Sequence, residues 1–272
     1  MGAYRSACTE WRRYTSRVNR AVPWLLAVAS GVALALALPG AGWTILLLIF
    51  PGLLLEAVER SPSGWRRWAL GWTAGVAHWV VAVNWVLPVM HDFGGLPLVG
   101  AVVCLVAMAI ILGACWAVTV GLTGLVRPSH RLWLLPALWI ALDSGRQFWP
   151  YRFPWNPPAA ALIDMPVLLQ SLPVWGATGL GWAGVTLGAG LWACCRRERR
   201  KAGVAAAGIA LVLTGVFGWI APRPSAEGDD QLLAVIQPGT TLEEKWDSAS
   251  WEEMEQRVWD LTRSAVAEGA SV

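Results

Sequence analysis

The sequence predicts a polytopic α-helical membrane protein with about seven spans, followed by an incomplete α/β segment. Three observations predict it. Hydrophobic residues make up 56% of the 272 positions and charged residues only 14%, with a mean hydropathy of +0.49. A soluble domain carries about 25% charged residues, so an ordinary cytosolic enzyme is excluded. So is a disordered chain, whose apolar content would be low. Second, there are 20 tryptophans, a residue that concentrates at membrane–water interfaces. Third, charge is split along the chain. Residues 1–220 hold 17 Lys and Arg against 7 Asp and Glu, a net of +10, whereas residues 221–272 hold 4 against 11, a net of −7. The modest overall charge of +3 therefore joins a basic apolar part to an acidic tail.

A helix needs about 20 apolar residues to cross a bilayer, with roughly 17 as the lower limit. Seven segments qualify or come close: Val22–Leu38, Trp43–Val58, Trp68–Val89, Leu96–Leu122, Leu132–Ser144, Leu172–Cys195 and Ala202–Ile220. The second and fifth are short. Pro39-Gly40-Ala41-Gly42 punctuates the first pair as a tight turn. Residues 1–21 form a basic lead, expected in the cytoplasm, and 22–220 the helical bundle.

Orientation follows from counting Lys and Arg in alternate loops. The lead has Arg5, Arg12, Arg13, Arg17 and Arg20. Arg60, Arg66 and Arg67 follow span two, Arg127 and Arg131 follow span four, and Arg196, Arg197, Arg199, Arg200 and Lys201 follow span six. The opposite loops hold only Arg146 and Arg152. Fifteen against two predicts seven crossings, the N-terminus inside and the tail outside. The same rule accounts for the basic run Arg196–Lys201, so no nucleic-acid partner is expected.

The tail begins with a linker, 221–230, rich in Pro, Ser, Gly and acid. Leu232–Gln237 is a short apolar run before Pro238-Gly239, which predicts a buried strand and a turn. Ser250 followed by Glu253 predicts a capping box. Trp251, Met254, Val258, Leu261 and Ala265 then share one face of a helix, and Gly269 is its expected stop. A β–α unit requires a second parallel strand, which would begin near Ala270–Val272. The tail is therefore expected to be the start of a domain cut short.

Few side chains carry chemistry. Cys8, Cys104, Cys115, Cys194 and Cys195 show no metal-ligand spacing, and no phosphate loop or nucleophile elbow is present. No metal or cofactor is expected. His78 and Asn84 lie within span three, where polar groups are costly and serve either interhelical hydrogen bonds or a substrate path. Asp143 and Arg146 are three apart near the outer end of span five, a spacing that allows pairing. The loops 90–95 and 148–158 are aromatic with Gly and Pro, and fit either an interfacial belt or a lipid-handling surface.

Taken in order, ALALPGAGW (35–43), GWTAGVAHWVVAVNWV (71–86), HDFGGLP (91–97), LWIALDSGR (138–146), RFPWN (152–156) and AVIQPGTTLEEKWD (234–247) resemble the apolipoprotein N-acyltransferase family. The resemblance implies a membrane bundle followed by a periplasmic nitrilase-like domain, of which 231–272 would be the truncated start. It implies a bacterial inner-membrane enzyme that moves an acyl chain from a phospholipid to the N-terminal amine of a diacylglyceryl-cysteine lipoprotein, through a cysteine thiolate with Glu and Lys. Trp246 matches a tryptophan of the family's active-site loop. Phe93, Gly94, Gly95, Arg146, Phe153, Pro154 and Trp155 are the candidate lipid or substrate surface. Asp143 departs from the Glu usual in the family. The family's catalytic Glu, Lys and Cys fall beyond Val272, so no catalytic residue is assigned and residues 1–272 alone are expected to be inactive. The alternative is a non-enzymatic, lipid-binding membrane scaffold whose tail helix docks a separate partner.

Overall fold

The computed structural model describes residues 2–61, 64–146, 148, 153–220, 232–241, 244–245 and 247–270. By packing, the chain divides into Met1–Ala221 and Pro222–Val272. In the first unit the long helices are α1 (Gly2–Ala37), α2 (Leu46–Arg60), α3 (Trp65–Ala82), α5 (Leu98–Leu125), α6 (Pro128–Gly145), α8 (Leu172–Cys194) and α9 (Arg200–Ile220). Short α4 (Val86–Pro88) continues as a wide turn to Phe93, and α7 (Pro166–Leu169) follows a 3-10 turn at Pro158–Leu162. Among the described residues, Arg20–Ala37 and Leu98–Leu125 are each long and apolar enough to cross a membrane, and the bent pair α3–α4 makes a third if taken as one span.

Helix contacts are set by small residues. Lipid tails are as apolar as leucine, so helices in a bilayer gain most from close backbone approach. A methyl on Gly31 of α1 would coincide with the Ala74 carbonyl of α3. One on Gly71 would lie 2.5 Å from the Trp116 carbonyl of α5, and one on Gly75 2.8 Å from the Gly113 Cα. One on Gly188 of α8 would lie 2.6 Å from the Leu48 carbonyl of α2, and one on Gly203 of α9 2.6 Å from the Cys194 amide nitrogen. Between these contacts the large side chains fill the core: Leu47, Phe50, Leu54, Leu70, Leu135 and Leu180 are fully or almost fully buried.

The structure corrects two continuous spans. Trp68–Val89 is broken at 83–85 and bends by 65°. Pro88 explains the break, because it has no N–H for the Asn84 carbonyl and its ring would clash with that carbonyl in a straight helix. Asn84 sits in the break, exposed, so it makes no interhelical bond among the described residues. Leu172–Cys195 is interrupted at Gly176, whose φ of 62° and ψ of 180° only glycine adopts readily. The turn at Pro39–Gly42 forms as expected, with φ of 119° at Gly40 and 70° at Gly42.

Arginines from alternate loops meet at one end of this unit. Arg20, Arg60 and Arg66 line one cleft. Arg67 and Arg131 both donate to the Gly124 carbonyl. Arg131 and Arg199 both pair with Glu59, at 3.7 and 2.5 Å, and Arg60 and Arg196 both pair with Glu56. Arg131 is 6% exposed, so this cluster is partly interior rather than a solvated rim.

The second unit corrects the tail. Among the described residues there is no β-strand, and Leu232–Gln237 forms none. A strand holds its shape by pairing backbone N–H and C=O groups with a neighbour, and no described segment supplies one. Val235 is accordingly 93% exposed. The expected capping box at Ser250 is absent. Asp247 takes the Ser250 hydroxyl at 2.9 Å and caps the Ala249 N–H at 3.1 Å instead. The reciprocal box forms at Thr241 and Glu244, each side chain accepting the other's backbone N–H at 3.2 and 3.0 Å. Helix α10 (Trp251–Ala267) ends as expected at Gly269, with φ of 95° and a Schellman pair of bonds, Ala270 N–H to Ala265 and Gly269 N–H to Val266. The linker 221–230 lies outside the described residues.

The helix contacts yield a sharp contrast. Gly75→Ala forces α3 from α5 and is expected to lower the detergent melting temperature, at a cost of about 1–3 kcal/mol. Gly208→Ala, with nothing within 4 Å, is expected to be neutral or stabilising by up to about 1 kcal/mol. Equal melting temperatures for the two variants would contradict this packing.

Candidate lipid-facing site

The end of the bundle opposite the arginine cluster holds most of the expected site residues. Arg146 stands just after the last residue of α6 and is only 8% exposed. Its guanidinium pairs with Asp143, so the i,i+3 pair forms. It also donates to the carbonyls of Phe153 at 3.2 Å and Trp155 at 3.3 Å. The Phe153 N–H returns a bond to the Arg146 carbonyl at 3.2 Å. The guanidinium carbon lies 4.8 Å from the centre of the Trp79 ring, a cation–π contact. One buried cation thus ties the loop 153–155 to both α6 and α3. A planar guanidinium offers five donors in a fixed fork, which an ammonium does not.

The aromatic side chains form a continuous path from core to surface. Phe50 and Trp139 are 5.0 Å apart, Trp139 and Trp116 4.3 Å, Trp116 and His78 5.0 Å, and His78 and Trp79 4.9 Å. Trp79 meets Phe153 at 5.9 Å, Phe153 stacks on Trp155 at 5.9 Å, and Trp155 meets Trp85 at 5.3 Å. The outer members are open: Trp155 is 44% exposed, and Trp85 and Pro154 are exposed as well. His78 sits in this path, buried, and its Nδ1 has no hydrogen-bond partner.

Phe93, Gly94 and Gly95 lie on the other segment, in the wide turn after α4 and just beyond it. Gly95 has φ of 66°, and a methyl on Gly94 would lie 2.7 Å from the Met90 carbonyl. Leu96 closes the turn, its N–H reaching the Met90 carbonyl at 3.0 Å and its carbonyl bonding His91 Nδ1 at 2.8 Å. Phe93 makes no ring contact with Phe153 or Trp155 among the described residues. The two segments meet instead through Met90 and Phe153, which pack on one buried cluster of Trp79, Val83, Val86, Leu105, Ala109 and Leu112. Asn156, with φ of 55°, anchors the loop by donating to the Ala82 carbonyl at 3.4 Å, where α3 ends.

Trp246, Trp149, Tyr151 and Arg152 lie outside the described residues. The sequence reading missed Trp79, Met90 and Asn156. Nothing in one sequence separates Trp79 from the other tryptophans. Asn156, in the segment RFPWN, had a usable signal, since Asn tolerates positive φ better than most residues. Among the described residues no group of His, Cys, Asp and Glu is arranged to hold a metal. The arrangement therefore offers a rigid, amphipathic rim of aromatic faces over one buried cation, suited to holding an acyl chain or lipid headgroup.

Arg146→Ala leaves Asp143 unpaired and two carbonyls unbonded, and is expected to cost about 3 kcal/mol of stability. Arg146→Lys keeps the charge and recovers only part. Trypsin cleavage after Arg152, timed on the purified protein in detergent, is expected to speed several-fold in both variants. An unchanged cleavage rate would refute the clamp.

Comparison with known proteins bears on this geometry. Residues 30–190, which include the Arg146 clamp and the broken helix, match the family described as apolipoprotein N-acyltransferase N-terminal domain. Apolipoprotein N-acyltransferase of Geobacter metallireducens is 30% identical over 96% of this chain and 52% of its own length. That of Shewanella oneidensis is 29% identical over 77% of this chain and 43% of its own length. That of Methylococcus capsulatus is 28% identical over 88% of this chain and 48% of its own length. The chain thus spans about half the length of the curated relatives it matches. The family match covers more than half of the chain and includes both segments of the site, so the chain belongs to the apolipoprotein N-acyltransferase family.

Proposed function

We propose that these residues form the membrane part of a bacterial inner-membrane enzyme that transfers an acyl chain from a phospholipid to the N-terminal amine of a diacylglyceryl-cysteine lipoprotein. The observation that carries the reading is the family match over a segment containing the Arg146 clamp and its exposed aromatic rim. In this reading Phe93, Gly94, Gly95, Phe153, Pro154 and Trp155 face the outer leaflet and guide acyl chains. Arg146 holds the rim in place, and Trp246 belongs to the active-site loop. The chemistry is covalent acyl transfer through a thiolate. Its Glu, Lys and Cys belong to a periplasmic nitrilase-like domain that begins near residue 231 and are not assigned within residues 1–272. We further read seven crossings with the N-terminus in the cytoplasm and the tail in the periplasm. The gathering of the arginine loops at one end supports that topology, because loops on one side of a bilayer share one end of a bundle. A second reading, a lipid-binding scaffold that docks a partner, draws on α10, whose Trp251, Val258 and Leu261 are all exposed.

Topology is tested by replacing the five native cysteines and adding single ones. In intact cells a membrane-impermeant maleimide is expected to label Asp92→Cys and to spare Arg66→Cys. The reverse pattern would overturn the orientation. Activity is tested by mass spectrometry of a lipoprotein N-terminus in cells depleted of their own N-acylation. The complete reading frame containing these residues is expected to add one amide-linked acyl chain, and Arg146→Ala to reduce that at least tenfold. Purified residues 1–272 alone are expected to transfer nothing. Lipoprotein that co-purifies but is never acylated would favour the scaffold.

A further inference from the structure

A groove runs along the surface between α2 and α8, at the side of the bundle and leading to the arginine end. Its volume is about 520 Å³. Ile45, Leu48, Ile49 and Leu53 line one wall and Leu191 and Trp192 the other. Ile45, Ile49 and Leu191 are 63%, 43% and 44% exposed, so the groove is open to its surroundings. From Ile45 to Glu56 the α2 wall is about 16 Å long at 1.5 Å per residue. That is about half of a 30 Å hydrocarbon core, the depth of one leaflet.

The groove ends in a polar cleft of about 510 Å³ that shares Glu56 and Arg196 with it. Glu56 is a hub: its carboxylate accepts from Arg60 at 2.6 Å and from the Trp192 indole at 3.2 Å, and pairs with Arg196. The Arg196 guanidinium lies over the Trp192 ring, 4.1 Å from its centre. Its Nε–H is buried without an acceptor. Burial first, and then the neighbouring Arg199, pull the Arg196 pKa down, so this cation sits at a cost that an added anion would offset. Arg199 is engaged with Glu59. Arg197 also lines the cleft, is exposed, and has no ion pair or hydrogen bond among the described residues.

We propose that this groove binds one anionic phospholipid of the leaflet at the arginine end, with a tail along α2 and its phosphate on Arg196 and Arg197. An apolar trough one leaflet deep, closed by an uncommitted arginine beside a stacked one, matches a tail and an anionic headgroup together. Basic pockets between membrane helices on the cytoplasmic side recognise such lipids. The proposal uses the membrane reading of the bundle and is independent of acyl transfer. The site lies at the end opposite the Arg146 clamp and is expected to hold a resident lipid rather than a substrate.

Native mass spectrometry of the full chain from detergent tests this, with palmitoyl-oleoyl phosphatidylglycerol, the matching phosphatidylcholine and free glycerol 1-phosphate at equal concentration. The anionic lipid is expected to be retained at least tenfold over the zwitterionic one, and glycerol 1-phosphate not at all. Arg197→Gln is expected to lower retention about fivefold, the equivalent of about 1 kcal/mol per arginine near a membrane surface. Arg66→Gln, at the same end but off the groove, is expected to change it less than twofold. Ile49→Trp fills the trough and is expected to lower retention of the lipid. All three positions are exposed, and melting temperatures confirm that the variants fold. Equal loss in Arg66→Gln and Arg197→Gln would reduce the effect to general surface charge and overturn the site. Equal retention of the two lipids, or binding of free glycerol 1-phosphate, would overturn it as well.

Discussion

Backbone-to-backbone contact between helices is the constraint on which the rest of the first unit depends. Helix α3 is held on one side where Gly31 of α1 meets the Ala74 carbonyl, and on the other where Gly71 and Gly75 meet Trp116 and Gly113 of α5. Dispersion between apolar atoms falls steeply with separation, and lipid offers no hydrophobic gain for mere burial. Close approach is therefore the main source of specificity. It also fixes the height and rotation of α3, and so the direction in which His78 and Trp79 project.

Both ends of the bundle use a buried cation in the space those contacts leave. At one end Arg146 satisfies Asp143 and two loop carbonyls while lying over Trp79. At the other, Glu56 and Glu59 on α2 gather arginines from three separate loops. Burying a charge is tolerable only when it is paired and hydrogen-bonded. Each cluster is thus an anchoring device first. The difference lies in what remains exposed: aromatic faces beside Arg146, and a spare guanidinium at Arg197.

The break in the third span connects these facts to function. A straight helix through Val89 would carry the 91–95 segment away along the α3 axis. The bend before Pro88 swings Met90 back onto the Trp79 cluster that also receives Phe153. Two segments about 60 residues apart in sequence are thereby joined by one apolar cluster rather than by direct polar contact.

The sequence by itself determined the membrane character, the approximate helix positions, the asymmetry of the arginine loops and the pairing of Asp143 with Arg146. Those follow from composition, apolar length and i,i+3 spacing, which are local properties. It also placed the stop at Gly269 and the turn at Pro39–Gly42, where backbone conformation demands glycine. Tertiary structure alone decided which tryptophans face the site, since twenty similar side chains differ only in the helix surfaces they meet. It decided too that Arg146 bonds the carbonyls of Phe153 and Trp155, and that Leu232–Gln237 forms no strand. Each of these outcomes depends on a partner distant in the chain, or on the lack of one among the described residues, and no local pattern encodes that.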